Sequence, residues 1–440
     1  MPDNVGLDQH KPTSLRGIAN KAGVDKQHRF QNLYRMLDET LLRDSFRELN
    51  KQSVAGIDQV TAAQYAENLQ ANIQDLVARL KSKRYRTKRL RRGFIPKENG
   101  EPRPLGIPAL EDKLVQRACA TLLNAIYEQE FLACSYGYRQ HRSAQEAVQD
   151  LTFELQYGRY GYVVEADIRG FFDNMDHDQL CQMLEQRIDD QAFLGLIRQW
   201  LKAGILETDG CILHPQTGAP QGGIVSPVLA NVYLHHVLDR WFHEVVQSHC
   251  QGEAIMVRYA DDWVCAFRYR NDAERFYRVL PKRLGKFHLE VAPNKTQILR
   301  FSRFHPSMTR RFVFLGFEFY WNKDRQGVPR VRRRTARKKL QGACRRIKEW
   351  IKANRHEDGA TFFKGLNSRL RGHYQYYGLR GNYDSLQRFF WWTTKCTFKW
   401  LNRRGGKKRS FNWATFALML ERVKIAKPRI TERLRQPVMA

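Results

Sequence analysis

Three aspartates, Asp167, Asp261 and Asp262, stand in or beside short apolar runs: Val163-Val164-Glu165-Ala166-Asp167-Ile168 and the stretch from Ile255 to Phe267. Charge in such a setting is unfavourable unless it is paired or bound to a metal. Adjacent side chains of a regular strand point to opposite faces. Asp261 and Asp262 therefore converge only at a hairpin turn, and the apolar runs on either side of them allow one. A third carboxylate from a neighbouring strand would complete a cage for two Mg²⁺ ions, which take oxygen ligands from a few carboxylates and from substrate phosphates. Two such ions about 3.5–4 Å apart can activate a 3′-hydroxyl and steady a leaving pyrophosphate. An isolated Asp-Asp pair is more often a solvated turn, and the Val, Tyr and Trp neighbours of this one weigh against that.

The elements that must position these groups are legible from periodicity. Apolar residues recur at helical spacing from Leu33 to Leu49, and residues 61–80, 111–131 and 143–157 also read as helix. Gly56-Ile57-Asp58 breaks the first pattern. Phe94-Ile95-Pro96 and Leu105-Gly106-Ile107-Pro108 flank Asn99-Gly100, which predicts a hairpin. A strand is expected at 163–168, helices from Gln179 to Arg187 and on through Trp200, a strand-turn-strand over 255–267 and a single strand over 312–320. Helices are expected at 335–354, 360–378 and 383–402, with a short one at 411–422. The first 30 residues read as polar and loose. The body is α+β and the end of the chain is helical.

Charge divides the 440 residues in the same place. Residues 1–300 hold 40 basic and 37 acidic side chains, a net of +3, whereas residues 301–440 hold 35 basic and 8 acidic, a net of +27. A balanced body thus carries a polycation, which argues for a polyanionic partner. The body has one cationic cluster of its own, from Arg79 to Lys97, with no acid in it. The length suits two to four domains at about 100–200 residues each. The start of the chain has no apolar signal-peptide core. The longest uncharged stretch, Gly210 to Leu238, contains Pro215, Pro220 and Pro227, which is wrong for a lipid-spanning helix. The eight cysteines form no CxxC pair, which disfavours a zinc site and a disulfide framework and fits a reducing cytoplasm.

Tyr259-Ala260-Asp261-Asp262 resembles the core motif of reverse transcriptases. It does so in company. Asp167-Ile168-Arg169-Gly170-Phe171-Phe172-Asp173 is similar to the first catalytic palm motif. Gly218-Ala219-Pro220-Gln221-Gly222-Gly223-Ile224-Val225-Ser226-Pro227, leading to Asn231-Val232-Tyr233-Leu234, is similar to the motif lining the nucleotide site. Pro293-Asn294-Lys295-Thr296 and Phe314-Leu315-Gly316-Phe317 match later palm motifs, and Ile95 to Pro108 looks like the fingers. Ser135 to Arg139 and Arg142-Ser143-Ala144 resemble a segment of the group II intron branch, as do Leu370 to Tyr377 and Leu386 to Trp392 for its maturase or thumb region.

The resemblance implies a right-hand polymerase. Residues 1–60 would form an N-terminal extension with a template-holding loop around Gly56, Ile57 and Asp58, and residues 61–325 the fingers and palm. Residues 326–402 would form an all-helical thumb, and 403–440 a short basic DNA-binding segment. Asp167, with Ile168 beside it, Asp261 and the weaker Asp262 would hold two Mg²⁺ ions, with Mn²⁺ as a substitute. Lys97 and Arg103 would grip the incoming triphosphate as point charge and fork. Phe172 would crowd a ribose 2′-hydroxyl, Gln221 would touch nucleotide or template, and Lys295 would protonate or position pyrophosphate. Arg332, Arg333, Arg334, Arg337, Lys338, Arg371, Lys407, Lys408 and Arg409 would contact phosphates. Most aromatics of the helical end are expected to be core.

The implied partners are group II intron RNA, an RNA template/DNA primer duplex, target DNA and dNTPs, with no membrane. The chain lacks the paired cysteines of the HNH nuclease module found in longer intron proteins, so the resemblance is to the bacterial type without it, and priming by a nascent DNA strand is expected. The implied activity is RNA-directed DNA synthesis with assistance to intron splicing and retrohoming. The alternatives are a splicing-only RNA-binding cofactor, and a host-adopted reverse transcriptase of phage defence or CRISPR adaptation.

Overall fold

The computed structural model describes residues 14–96, 101–404 and 410–432. Order begins earlier than the polar composition suggests. Leu15–Val24 is a helix whose N-cap, Ser14, accepts a hydrogen bond from the Gly17 amide, and it buries Ile18 and Ala22. The predicted helix over 61–80 is split at Asn68 into Ala62–Glu67 and Leu69–Lys81. Around the buried helix Leu110–Tyr127, these helices make the first layer of the body.

The strands run β1 (Leu90–Pro96), β2 (Pro102–Ile107), β3 (Tyr162–Asp167), β4 (Ile205–Leu206), β5 (Ile212–Leu213), β6 (Ala254–Tyr259) and β7 (Asp262–Phe267). They continue as β8 (Gln297–Arg300), β9 (Arg311–Phe314), β10 (Phe317–Lys323) and β11 (Pro329–Thr335). One sheet has the order β2-β1-β4-β5, a second β6-β7-β3-β8 and a third β11-β10-β9. The expected hairpin is β1–β2, with its Asn99-Gly100 turn outside the described residues.

The second sheet is antiparallel throughout and sandwiched. On β7, Trp263, Cys265 and Phe267 enter the core shared with helices Leu110–Tyr127, Ser226–Leu234 and Arg270–Gly285. Val264 and Ala266, on the other face, enter the core shared with helix Ala144–Tyr157 and the third sheet. Burial on both faces is why the run after Asp262 is continuously apolar rather than alternating.

Two expectations about the later chain change. The single strand foreseen over 312–320 is two strands, reversed at Leu315-Gly316, where Leu315 itself has a φ of 49°. The arginine-rich run from Arg330 to Arg334 is not the start of a helical region but β11, paired along its length with β10. A boundary at 325/326 therefore cuts through a hairpin. The helices that follow, Arg337–Asn354, Gly359–Tyr377, Tyr383–Leu401 and Trp413–Arg422, fall close to the predicted spans. They close around their own core, with Ile351, Phe362, Leu370, Tyr374 and Leu386 at its centre. Among the described residues no helix is long and apolar enough to cross a membrane.

Candidate active site

The three aspartates meet at one end of the second sheet. Asp167 is the last residue of β3 and Asp262 the first of β7, and the two are direct cross-strand partners. Such partners share a face of the sheet and stand about 4.5–5.5 Å apart at Cβ. Asp261 sits in the two-residue turn between β6 and β7, beside Ala260, which takes a left-handed φ of 55°. The turn is buttressed from below by residues 134–137. The Tyr136 amide donates to the Arg258 carbonyl and the Arg258 amide to the Cys134 carbonyl, each at 2.8 Å. A Cβ on Gly137 would strike the backbone of Ala260, so only glycine lets this segment lie against the turn.

Asp167 and Asp261 open into a cleft of about 1340 Å³. Arg103, Tyr138, Ile168, Phe172, Gln221 and Lys295 also line it. Asp262 lies beside the cleft rather than in its wall. Ile168 has its side chain buried, so only its main chain can serve a ligand. Phe172 is held by its backbone. Its carbonyl accepts from the Ala219 amide at 2.8 Å, and its ring leans on Phe171, which is buried. Gly218 crosses the same turn with a φ of 90°, where a Cβ would meet the Phe172 carbonyl at 2.7 Å. The Gln221 carbonyl accepts from the Gly106 amide of β2 at 2.8 Å. The glycine-rich loop thus ties the first sheet to the aspartates. Arg103 is exposed on β2, and Lys97 lies outside the described residues.

Electrostatics mark the aspartates as a set. Burial, then the charge of Asp167, raise the Asp261 carboxyl, while Arg103 and Lys295 draw it down. Asp262 keeps an exposed edge, but the packing around its carboxyl, followed by the charges of Asp261 and Asp167, pushes it up to about 7. The Lys295 ammonium lies 2.5 Å from the Asp167 carboxylate. Among the described residues no three His, Cys, Asp or Glu side chains stand ready-drawn at metal-ligating spacing. The donor chemistry nonetheless fits a hard dication: clustered carboxylate oxygens that repel one another until a cation lies between them.

The residues foreseen as phosphate contacts divide. Arg333 is buried, 2.5 Å from Glu432 and 2.9 Å from the Thr152 hydroxyl, and is not available to a phosphate. Arg334 pairs with Glu318 at 2.6 Å. Arg332 is half-buried on β11, whereas Arg337, Lys338 and Arg371 are exposed. Lys407, Lys408 and Arg409 lie outside the described residues. Several aromatics expected in the core are not there. Trp391, Trp392 and Trp413 are exposed, and the Lys395 ammonium sits 3.7 Å over the Trp391 ring. Two neighbours of the site were not foreseen as functional. Tyr138 lay within a quoted motif without a role, and Arg258, directly before Tyr259, offered no signal beyond its charge.

The chain belongs to the reverse transcriptase family. The family model described as reverse transcriptase (RNA-dependent DNA polymerase) matches residues 95–319, just over half of its length. The match takes in β2, the glycine-rich loop and all three aspartates. Members of the family use divalent metal ions. Over 352 residues the chain is 30% identical to protein YkfC of Escherichia coli (strain K12), covering 72% of this chain and 90% of that protein. It is 37% identical over 238 residues to the group II intron-encoded protein LtrA of Lactococcus lactis, covering 52% of this chain and 39% of LtrA. It is also 39% identical over 165 residues to a 91 kDa protein in the cob intron of Schizosaccharomyces pombe, covering 38% of this chain and 20% of that protein. The chain thus spans less than half the length of these two intron-encoded relatives. The expectation of a reverse transcriptase akin to group II intron proteins holds.

Proposed function

We propose that this cleft extends a DNA 3′ end on an RNA template, and that the chain also binds a group II intron RNA and assists its splicing and retrohoming. One observation carries the catalytic part: Asp167, Asp261, Arg103, Phe172, Gln221 and Lys295 come from distant points of the sequence to a single cleft. Asp167 and Asp261, with the Ile168 carbonyl and with Asp262 as the outer third, would hold two Mg²⁺ ions. Bound there, the ions supply the positive charge that makes a 3′-hydroxyl acidic and stabilises the leaving pyrophosphate. Arg103, with Lys97, grips the triphosphate by paired hydrogen bonds. The Phe172 ring fills the space a 2′-hydroxyl would need. Gln221 orients the nucleotide on the glycine-rich loop. Lys295 exchanges its hold on Asp167 for a phosphate oxygen, where it can deliver a proton.

The helices from Arg337 to Leu401 act as thumb and maturase surface, gripping an A-form duplex by its backbone. Arg337, Lys338 and Arg371 supply charge, and Lys407, Lys408 and Arg409 belong to a DNA-contacting segment. The identity to the group II intron-encoded protein LtrA supports the intron part. Splicing of the intron RNA flanking the coding sequence, at a Mg²⁺ concentration too low for self-splicing, tests it. Accumulation of ligated exons on adding protein is expected, and an unchanged splicing rate alongside normal DNA synthesis would reject the maturase role.

A further inference from the structure

Arg258 is fully buried near the end of β6, separated only by Tyr259 from the turn that carries Asp261. A guanidinium has five N–H donors in a fixed plane. Here all five are used. Nε and Nη2 hold the two carboxylate oxygens of Asp239 at 2.6 and 2.5 Å. The second Nη2 proton goes to the Ser135 hydroxyl at 2.7 Å. Nη1 donates to the Asn231 side-chain oxygen at 3.1 Å and to the Ala260 carbonyl at 2.9 Å. Asn231 in turn donates to the Gly137 carbonyl at 2.7 Å. Asp239 is fully buried and ends the π-helical turn His235–Asp239, a distortion that interrupts the helix begun at Ser226.

A buried ion pair is weak support for stability as such, because desolvation offsets most of its attraction. What this arrangement provides is geometry. Three segments far apart in sequence, residues 135–137, 231–239 and 258–260, are locked to one planar group. The one main-chain acceptor within the turn is the carbonyl of Ala260, whose left-handed φ of 55° a β-strand would not adopt unaided. That carbonyl belongs to the peptide unit that also contains the Asp261 amide, so fixing it fixes the direction in which the Asp261 side chain leaves the backbone.

We propose that Arg258 is a positioning residue for the aspartate turn, acting through the Ala260 carbonyl to aim Asp261 into the cleft. This rests on the reading of that turn as catalytic. Lysine cannot replace it, since a point-like ammonium with three donors cannot span the same five acceptors.

Two variants test it, Arg258→Lys and the milder Asn231→Ala, which frees one Nη1 donor and leaves the Asp239 pair intact. Primer extension on an RNA template should show kcat reduced about 10- to 100-fold in each, with KM for dNTP nearly unchanged. Hydrogen exchange followed by mass spectrometry should show faster exchange over residues 258–263 and unchanged exchange over residues 337–377. If Arg258→Lys does not fold, Arg258→Gln, which also loses the Nη1 donor to the Ala260 carbonyl, takes its place. Wild-type kcat and exchange in a folded variant would overturn the proposal. So would exchange rising equally over both stretches with activity following the folded fraction, since the role would then be only structural. Absence of synthesis by the wild-type protein would instead reject the catalytic reading, and the exchange pattern would still show whether Arg258 orders the turn.

Discussion

Phe172 lines the cleft with its backbone fixed by Ala219 and its ring against Phe171. Phe172→Ala should therefore open the space for a 2′-hydroxyl without moving the aspartates. The ratio of kcat/KM for dNTP over rNTP is expected to fall by about 10- to 100-fold, measured by single-nucleotide extension, and an unchanged ratio would remove Phe172 from discrimination. Arg333 calls for the opposite kind of prediction. Its charge is spent on Glu432 inside the protein, so Arg333→Ala should destabilise the fold by about 3–5 kcal/mol, read by denaturant unfolding, rather than weaken RNA binding selectively. Both residues illustrate what the sequence reveals at this scale. The aspartates, Phe172 and Gln221 are legible because their neighbours form recognisable strings. Arg333 is misread because a run of arginines looks alike whether it faces solvent or a buried carboxylate. Arg258 is invisible because Ser135, Asn231 and Asp239, which give it meaning, are contributed by other segments.

At the level of elements, most helices are legible, since an amphipathic stripe repeats over several turns and reports its own burial, but Leu15–Val24, Ser226–Leu234 and Arg270–Gly285 are not foreseen. Strands β9 to β11 are less legible. β9 and β10 are joined by a tight left-handed turn that leaves no polar gap, and in β11 the buried positions are Val331, Arg333 and Thr335, so the buried arginine hides the period. Packing between elements also sets the response to acid. Burial lowers His235 to about 3 and His236 and His373 to about 4. His235 stays neutral although Asp239 is 4.0 Å away, because that carboxylate is engaged by Arg258. Below about pH 6.5 the unfolded chain binds protons that these folded imidazoles refuse, so their contribution is complete above that pH and is lost as pH falls toward 4. Asp112, raised by burial to about 6, and Asp262, raised to about 7, work the other way and offset part of the loss as pH falls from 7 to 4. Unfolding free energy measured from pH 7 to 4 should fall, and His235→Leu should make the curve shallower; a curve that rises toward pH 4 would contradict this. Gly137→Ala should cost about 1–3 kcal/mol through overpacking against Ala260, and should reduce DNA synthesis beyond what lost stability explains.

Across the whole molecule, the charge asymmetry survives but changes meaning. The +27 of residues 301–440 is not one uniform grip, because Arg333 and Arg334 are consumed by Glu432 and Glu318 within the fold. Exposed charge lies instead on helical residues such as Arg337, Lys338 and Arg371. Replacing Arg337, Lys338 and Arg371 with glutamine should weaken binding to an RNA–DNA duplex and reduce the slope of log K against log salt by about 0.7–0.9 per lost phosphate contact. An unchanged slope would place the duplex elsewhere.

The account stands or falls on the aspartate turn. Its most direct test is primer extension on an RNA template with Mg²⁺ and dNTPs, comparing the wild-type protein with folded Asp261→Ala. The wild type should make full-length DNA and the variant should lose at least about a hundredfold of the rate while still binding the primer–template duplex. Undiminished synthesis by Asp261→Ala would contradict the account.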